Sequence, residues 1–235
     1  MDKPCGYAFG CRMTAAASII ETFPALAAHD TLCMHGFVQR VPGVDTSRDK
    51  VEVLQRLATY HRAAVGALGF TMENFFTAEQ VHGADIAVVS ASSPRHSLNV
   101  DGLVTNTPGL SLGIHVADCG PVYLIDPVQR AIALLHSGKK GSEKGITGNA
   151  VRVMQAHYGT SPADLLVQLG PCIRVPQYDV DFPAMIQASC REAGVPAAQI
   201  HDCLTCTALD PSHYYSYRRE LGRTGRLLAL LGLRP

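Results

Sequence analysis

The sequence predicts an α+β sandwich built as a single domain, with mixed and largely antiparallel sheets. Three observations carry this expectation. Short apolar segments follow one another between residues 75 and 136, several joined by tight turns such as "HGAD" and "NTPG". Turns that short favour antiparallel or mixed pairing over helices spaced between parallel strands. Helical periodicity is segregated to stretches before and after that run. Finally, 235 residues at 47% hydrophobic and 17% charged content can bury a core without staples, and no repeat or low-complexity linker divides them.

Taken in order, residues 1–30 read as a loose, variable lead-in and 31–235 as the folded domain. "TLCMHGFVQRVPGVD" (31–45) is a strand ending in a Pro-Gly turn. Asp49 to Phe70 is a helix with Val51, Leu54, Leu57, Ala58, His61, Val65 and Leu68 on one face. Strands are expected near 75–82, 85–91, 100–105, 110–117, 121–126 and 131–136. A helix over 143–158 places Ile146, Ala150, Val153, Met154 and His157 together. "LLVQLG" (165–170) is a buried strand. "FPAMIQASCREAG" (182–194) is a helix closed by Gly194. The tail "HYYSYRRELGRTGRLLALLGL" returns to aromatic and apolar strand-like composition.

Twenty basic residues balance twenty acidic ones, so net charge supplies no broad reason to expect nucleic acid or an anionic membrane as partner. Eight cysteines (5, 11, 33, 119, 172, 190, 203 and 206) are scattered along a medium-sized chain rather than packed into a small loop-rich one. They read as reduced thiols of a cytosolic protein. "MTAAASIIETFPAL" carries too short an apolar run to span a membrane and is not framed as a signal peptide. A cytoplasmic location is the expectation.

Chemistry concentrates where apolar strands run into loops, the usual place for a site on a rigid scaffold. His82 sits in "EQVHGAD", Cys119 in "SLGIHVADCGPVYLID" and His136 in "RAIALLHSGKKG". Two His and a Cys are good ligands for zinc with a fourth position left open. Their separations, 37 and 17 residues, match no compact metal motif. On the residues alone, a buried thiol with two hydrogen-bonded core histidines explains the pattern as well. Strand alternation puts His115 on the same face as Cys119, making it a rival ligand. "CLTC" (203–206) lacks a second pair and is expected to be core or loop. "GKKGSEKG" (138–145) misses the Walker A spacing and reads equally as a phosphate cradle or a helix entrance. The arginines of "YRRELGRTGR" follow aromatics and suit solvent or an anion.

The ordered blocks "HGFVQR", "EQVHGADIAVV", "VDGLVTNTPGLSLGIHVADCGPVYLIDP", "IALLHSGKKG", "LGPCIRVPQYDV" and "CTALDPSHYYSYRRELGRTGR" resemble the laccase-domain family. It is also called the multicopper polyphenol oxidase, or purine nucleoside phosphorylase, family. The resemblance runs from about His35 to Leu233. It implies an αββα-type sandwich holding one metal, zinc rather than copper, on His82, Cys119 and His136. Asp118 then becomes a carboxylate able to orient a ligand or move a proton, and Arg40 and Arg218 anchor phosphate or substrate. The implied reactions are phosphorolysis of inosine, guanosine, adenosine and methylthioadenosine, and adenosine deamination. The older label, copper-dependent phenol oxidation, needs several redox metals and His-rich ligand sets this chain lacks. The implied partners are a nucleoside and phosphate, with no nucleic acid and no membrane, for a monomer or weak homodimer.

The chain departs from the family pattern inside the pocket. HAGWRG appears as "HSGKKG", so Lys139 and Lys140 stand for Trp and Arg. TRxGGVS appears as "QRVPGVD", and the Asn-Leu-Gly segment after it is not recognisable. A stacking surface and a guanidinium fork are lost, which Lys does not replace, while both lysines can hold an anion as point charges. Weakened nucleoside turnover with retained anion binding is expected. Two other readings stand beside it: a Cys119 nucleophile with His136 as base in a hydrolase or deamidase, and a divergent metal-binding protein with little catalysis.

Overall fold

The computed structural model of the chain describes residues 19–235. The first 18 residues of the expected lead-in, with Cys5 and Cys11, lie outside that range. The rest of the lead-in is not loose. Strand β1 (Ile20–Glu21) pairs with β2 (Cys33–Val38), and helix α1 (Pro24–Ala27) between them buries Phe23 and Leu26 in the core. Two large apolar side chains in a short segment are enough to hold it down.

Two six-stranded mixed sheets form the centre. The first has the order β1-β2-β12-β7-β3-β5, adding β3 (Phe75–Ala78), β5 (His96–Ser97), β7 (Ser111–Val116) and β12 (Leu227–Leu233). The second, β11-β10-β8-β9-β6-β4, contains β4 (Ile86–Val88), β6 (Gly102–Thr105), β8 (Gly120–Asp126), β9 (Ala131–Ser137), β10 (Leu166–Leu169) and β11 (Ile200–Asp202). The long pairings β8–β9, β2–β12 and β7–β12 are antiparallel, whereas β3–β5, β3–β7, β4–β6 and β10–β11 are parallel.

Alternation decides what each face meets. Phe37, Leu112, Ile114 and Leu231 of the first sheet pack on Leu103, Tyr123, Ile125 and Leu134 of the second. Tyr123 crosses the gap to donate its hydroxyl to the Gly36 carbonyl at 3.1 Å. The outward residues of the second sheet, Val122, Leu124, Ala133 and Leu135, take helices α4 (Ile146–Tyr158) and α5 (Phe182–Glu192). On the first sheet, Val38, Leu228 and Leu230 take α2 (Lys50–Ala67). The result is the expected αββα layering.

Three details differ from the sequence reading. Asp49 caps α2 by accepting from the N–H groups of Val51 and Glu52, worth about 1 kcal/mol, and the buried stripe is Val53, Leu57, His61, Ala64 and Val65. Val51 is 66% exposed because it lies roughly 200° around the helix from Val53. The helix expected over 143–158 is broken by Gly145 at φ +71, leaving the short α3 (Lys139–Glu143) ahead of α4, and His157 faces solvent. In the tail only β12 is a strand. Residues 213–226 run as turns tied to Val41 through the Tyr215 hydroxyl.

Candidate metal centre and cavity

Three chain segments meet at one end of the sandwich. The loop after β3 carries His82. Residues 117–119 carry the chain from β7 in the first sheet to β8 in the second, and β9 ends with His136. The crossing explains why a carboxylate and a thiol interrupt an apolar hairpin. Asp118 takes φ +82 to make the jump, which breaks the alternation and turns Cys119 toward the histidines. The ligating atoms of His82, Cys119 and His136 lie within 4.8 Å of one another, with the two imidazoles edge to face at 4.8 Å. Among the described residues this is the one such group. His115 is not part of it: its ring packs on His61, with centroids 5.3 Å apart.

Asp101, which the sequence reading passed over, organises the group. Its buried carboxylate accepts from the N–H of Val81 (3.1 Å), His82 (2.9 Å) and Gly83 (2.6 Å), and pairs with His136 Nδ1 at 2.7 Å. Nδ1 is thereby engaged, leaving Nε2 as the nitrogen free for a ligand, the orientation metal-bound histidines commonly receive from an outer carboxylate. Gln80, at φ +66, clamps the same loop to β7 by bonding both N–H and carbonyl of His115. These bonds offset the cost of the positive φ at Gln80 and at His82. Gly138 leaves room for the thiol: a Cβ there would sit 2.4 Å from Cys119 Sγ.

The electrostatics suit a ligand set. Burial pushes the Cys119 thiol up, but His136 and His82 bring it down to about 6. Burial lowers His136, and the opposing pull of Cys119 and Asp101 raises it to about 9. Burial also works against the Asp101 carboxylate, yet His136 and the loop N–H groups hold it below the usual range. Two imidazoles and a readily ionised thiol form a donor set that fits zinc or another borderline metal, and His82 is exposed on the open side.

That open side faces a cavity of about 690 Å³. Its wall includes Tyr178, Phe182 and Tyr217, with Lys139 and Arg218 among its cations. Arg218 stacks over Tyr178 at 4.9 Å. Asp118 also lines it, but its two oxygens accept from the Thr207 hydroxyl and the Arg218 N–H, both at 2.7 Å. In this arrangement the carboxylate holds the 216–222 loop and does not point at the ligand group. Arg40 and Lys140 are not in the cavity wall. Arg40 bonds the Tyr214 carbonyl, pairs with Glu220 at 2.7 Å and stacks on Tyr215, so it braces the same loop from behind. Lys140 faces solvent on α3. Cys33, Cys119, Cys172, Cys190, Cys203 and Cys206 are all free thiols, and Cys172 and Cys206 meet only through a backbone bridge.

The family model described as multi-copper polyphenol oxidoreductase laccase matches residues 43–184 and 176–234. A protein from Geobacillus stearothermophilus named purine nucleoside phosphorylase YlmD is 31% identical over 228 residues, covering 81% of each chain. One from Streptomyces coelicolor, also named a purine nucleoside phosphorylase, is 35% identical over 72% of this chain and 79% of its own. The crystal structure of the Geobacillus YlmD superposes with a TM-score of 0.77 at 25% identity, covering 92% of this chain and 99% of that one. By sequence, layering and matched length, this chain belongs to the multi-copper polyphenol oxidoreductase laccase family.

Proposed function

We propose that the protein is a zinc-dependent purine nucleoside enzyme, carrying out phosphorolysis of inosine, guanosine, adenosine or methylthioadenosine and deamination of adenosine. The observation that carries this reading is the His82–Cys119–His136 group opening onto a cavity whose wall is both aromatic and cationic. The relatives named purine nucleoside phosphorylase support it. In phosphorolysis a phosphate oxygen bonds to the ribose C1′ while the C1′–N9 bond breaks, its electron pair leaving with the purine, which gains a proton. In deamination a water oxygen adds at C6 and ammonia departs. His82, Cys119 and His136 hold the metal, and a bound zinc supplies a Lewis acid that polarises substrate or activates water. Asp101 keeps His136 in the binding orientation. Arg218 and Lys139 offset phosphate charge, and Asp118 and Arg40 position the loop that carries Arg218. The enzyme works in the cytoplasm, with the single folded domain, β1 and α1 included, active as a monomer or weak homodimer. No helix of the described residues is long and apolar enough to cross a membrane.

The reading is tested by metal content and a nucleoside panel run with and without phosphate. About one zinc per chain is expected, with most of it lost from the Cys119→Ala, His82→Ala double variant. Stoichiometric zinc in that variant overturns the ligand assignment. Zinc with no turnover of any nucleoside favours a metal-binding protein instead. A second reading, a hydrolase with Cys119 as nucleophile and His136 as base, draws on the thiol held at about 6; full activity in metal-free protein selects it.

The aromatic wall bears on specificity. With Lys139 where the family has Trp, the flat surface for a purine comes from Tyr178 and Tyr217. Tyr217 is 55% exposed at the mouth, so removing it leaves the core intact. Base stacking is worth about 1–3 kcal/mol, and Tyr217→Ala is expected to raise the KM for inosine about tenfold or more with little change in thermal stability. An unchanged KM shows that the base lies elsewhere.

A further inference from the structure

We propose that Arg226 and Lys50 form a subsite for a tetrahedral oxyanion, a phosphate group, on residues outside the His82–Cys119–His136 group. The cavity is lined by the cations Lys50, Lys139, Arg218 and Arg226 against the single carboxylate of Asp118. Both oxygens of that carboxylate are already engaged by Thr207 and the Arg218 N–H. Lys139 and Arg218 each have an acidic neighbour at 3.9 Å, Glu143 and Asp179. Arg226 and Lys50 form no ion pair among the described residues.

Arg226 is the telling member. It is half-buried, and burial lowers its pKa. Its Nη1 donates to the Thr224 and Gly225 carbonyls at 3.0 and 2.8 Å, which fixes the direction of the guanidinium. The rest of its donors have no acceptor among the described residues. The charges of Cys119 and Asp118 favour its cation, but neither forms an ion pair or hydrogen bond with it. A guanidinium half withdrawn from water gains from a ligand that brings a counter-charge into contact. His115, in the same wall, cannot compensate. Burial, then the charges of His61, Lys50 and Arg226, keep it neutral. A purine nucleoside carries no charge and leaves this surplus unused. A phosphate matches it, because the planar guanidinium offers two parallel N–H groups to two oxygens, and Lys50 adds a point charge from the rim. The phosphate arrives either as the free co-substrate or as an ester on the substrate. Its role as co-substrate rests on the phosphorolysis reading; oxyanion binding itself does not.

The test is calorimetric titration of inorganic phosphate into the protein as purified, and into Arg226→Gln, Lys50→Gln and Arg62→Gln. Arg62 is exposed on the same helix as Lys50 and does not line the cavity. Expected is saturable binding, weakened about tenfold or more in Arg226→Gln and about threefold to tenfold in Lys50→Gln, and unchanged in Arg62→Gln. Arg226→Gln also removes the bonds to residues 224 and 225. Lys50→Gln, at an exposed position, keeps the test valid if that variant folds poorly. Phosphate that still binds with saturating inosine assigns the subsite to the free co-substrate. Adenosine 5′-monophosphate that displaces phosphate, and binds more tightly than adenosine only while Arg226 is present, assigns it to an ester. Absence of binding by both anions overturns the proposal, as does equal phosphate affinity in the unmodified chain, Arg226→Gln and Lys50→Gln. Arg226-dependent phosphate binding without nucleoside turnover keeps the subsite and removes the phosphorolysis reading alone.

Discussion

Asp101→Ala is expected to weaken zinc binding about 10–100-fold and to destabilise the fold by about 3–5 kcal/mol. The carboxylate is fully buried and serves two segments, the 81–83 backbone and the His136 ring. Removing it strands three N–H donors and the imidazole Nδ1 without acceptors. Each buried donor left unpaired costs about 1–3 kcal/mol, only part of which local relaxation recovers. Two ligands also lose their orientation at once: His82 through its loop and His136 through its ring. Denaturant unfolding in the presence of a chelator reads the loss of stability, and competition with a chromophoric zinc chelator reads the loss of zinc affinity. Asp101→Asn separates them. It keeps the volume and one acceptor oxygen, but its amide nitrogen opposes the loop N–H groups. A folded Asp101→Asn protein with unchanged zinc affinity removes the positioning role.

Acidification from pH 6.5 to 4 is expected to destabilise the protein by up to about 3 kcal/mol for each of two buried histidines. His35 accepts the Phe23 N–H on Nε2 at 2.7 Å and stacks on the Phe23 ring. His61 has its Nε2 buried with no partner among the described residues. Burial lowers both to about 4 from the ordinary 6.5. The sign follows from proton uptake. Below 6.5 the unfolded chain takes up protons that the folded one refuses, so the stability is complete above 6.5. It is lost as pH falls toward the folded value near 4. Unfolding midpoints in urea at pH 7.5, 6, 5 and 4 should fall along that window. His35→Leu and His61→Leu should each remove part of the drop, with His115, which burial also keeps neutral, carrying a further share. A flat profile from 7.5 to 4.5 rules out this account.

The elements legible in the sequence were those whose signal is local. The periodicity of α5, the start of α2 at Asp49 and the apolar strands β7 to β9 each depend on neighbours a few residues apart, and they appear where expected. The break at Gly145 was less visible, since a glycine amid lysines reads as a helix entrance either way. Asp101 in "VDGLVT" carries no local signal of its role, because an Asp before Gly looks like turn chemistry. Its partners are 18 to 35 residues away in sequence. Arg40 and Lys140 were placed by resemblance at the phosphate. The structure puts one behind the 216–222 loop and the other in solvent, because a motif position records sequence order and not the direction a side chain takes.

By itself the sequence determined the layered α+β class, the absence of a charge imbalance and, through ordered blocks, the family and its His-Cys-His candidates. Those depend on composition, period and order, which are one-dimensional properties. Only the tertiary structure decided that His82, Cys119 and His136 converge, because the convergence comes from a sheet-to-sheet crossing at Asp118 and a carboxylate bridge from Asp101. It also decided that Tyr178, Phe182 and Tyr217 share the cavity wall, and that Arg226 lies half-buried there with no ion pair among the described residues. Burial and pairing are properties of what surrounds a side chain in space, and residues tens to hundreds of positions apart in the chain supply those surroundings here.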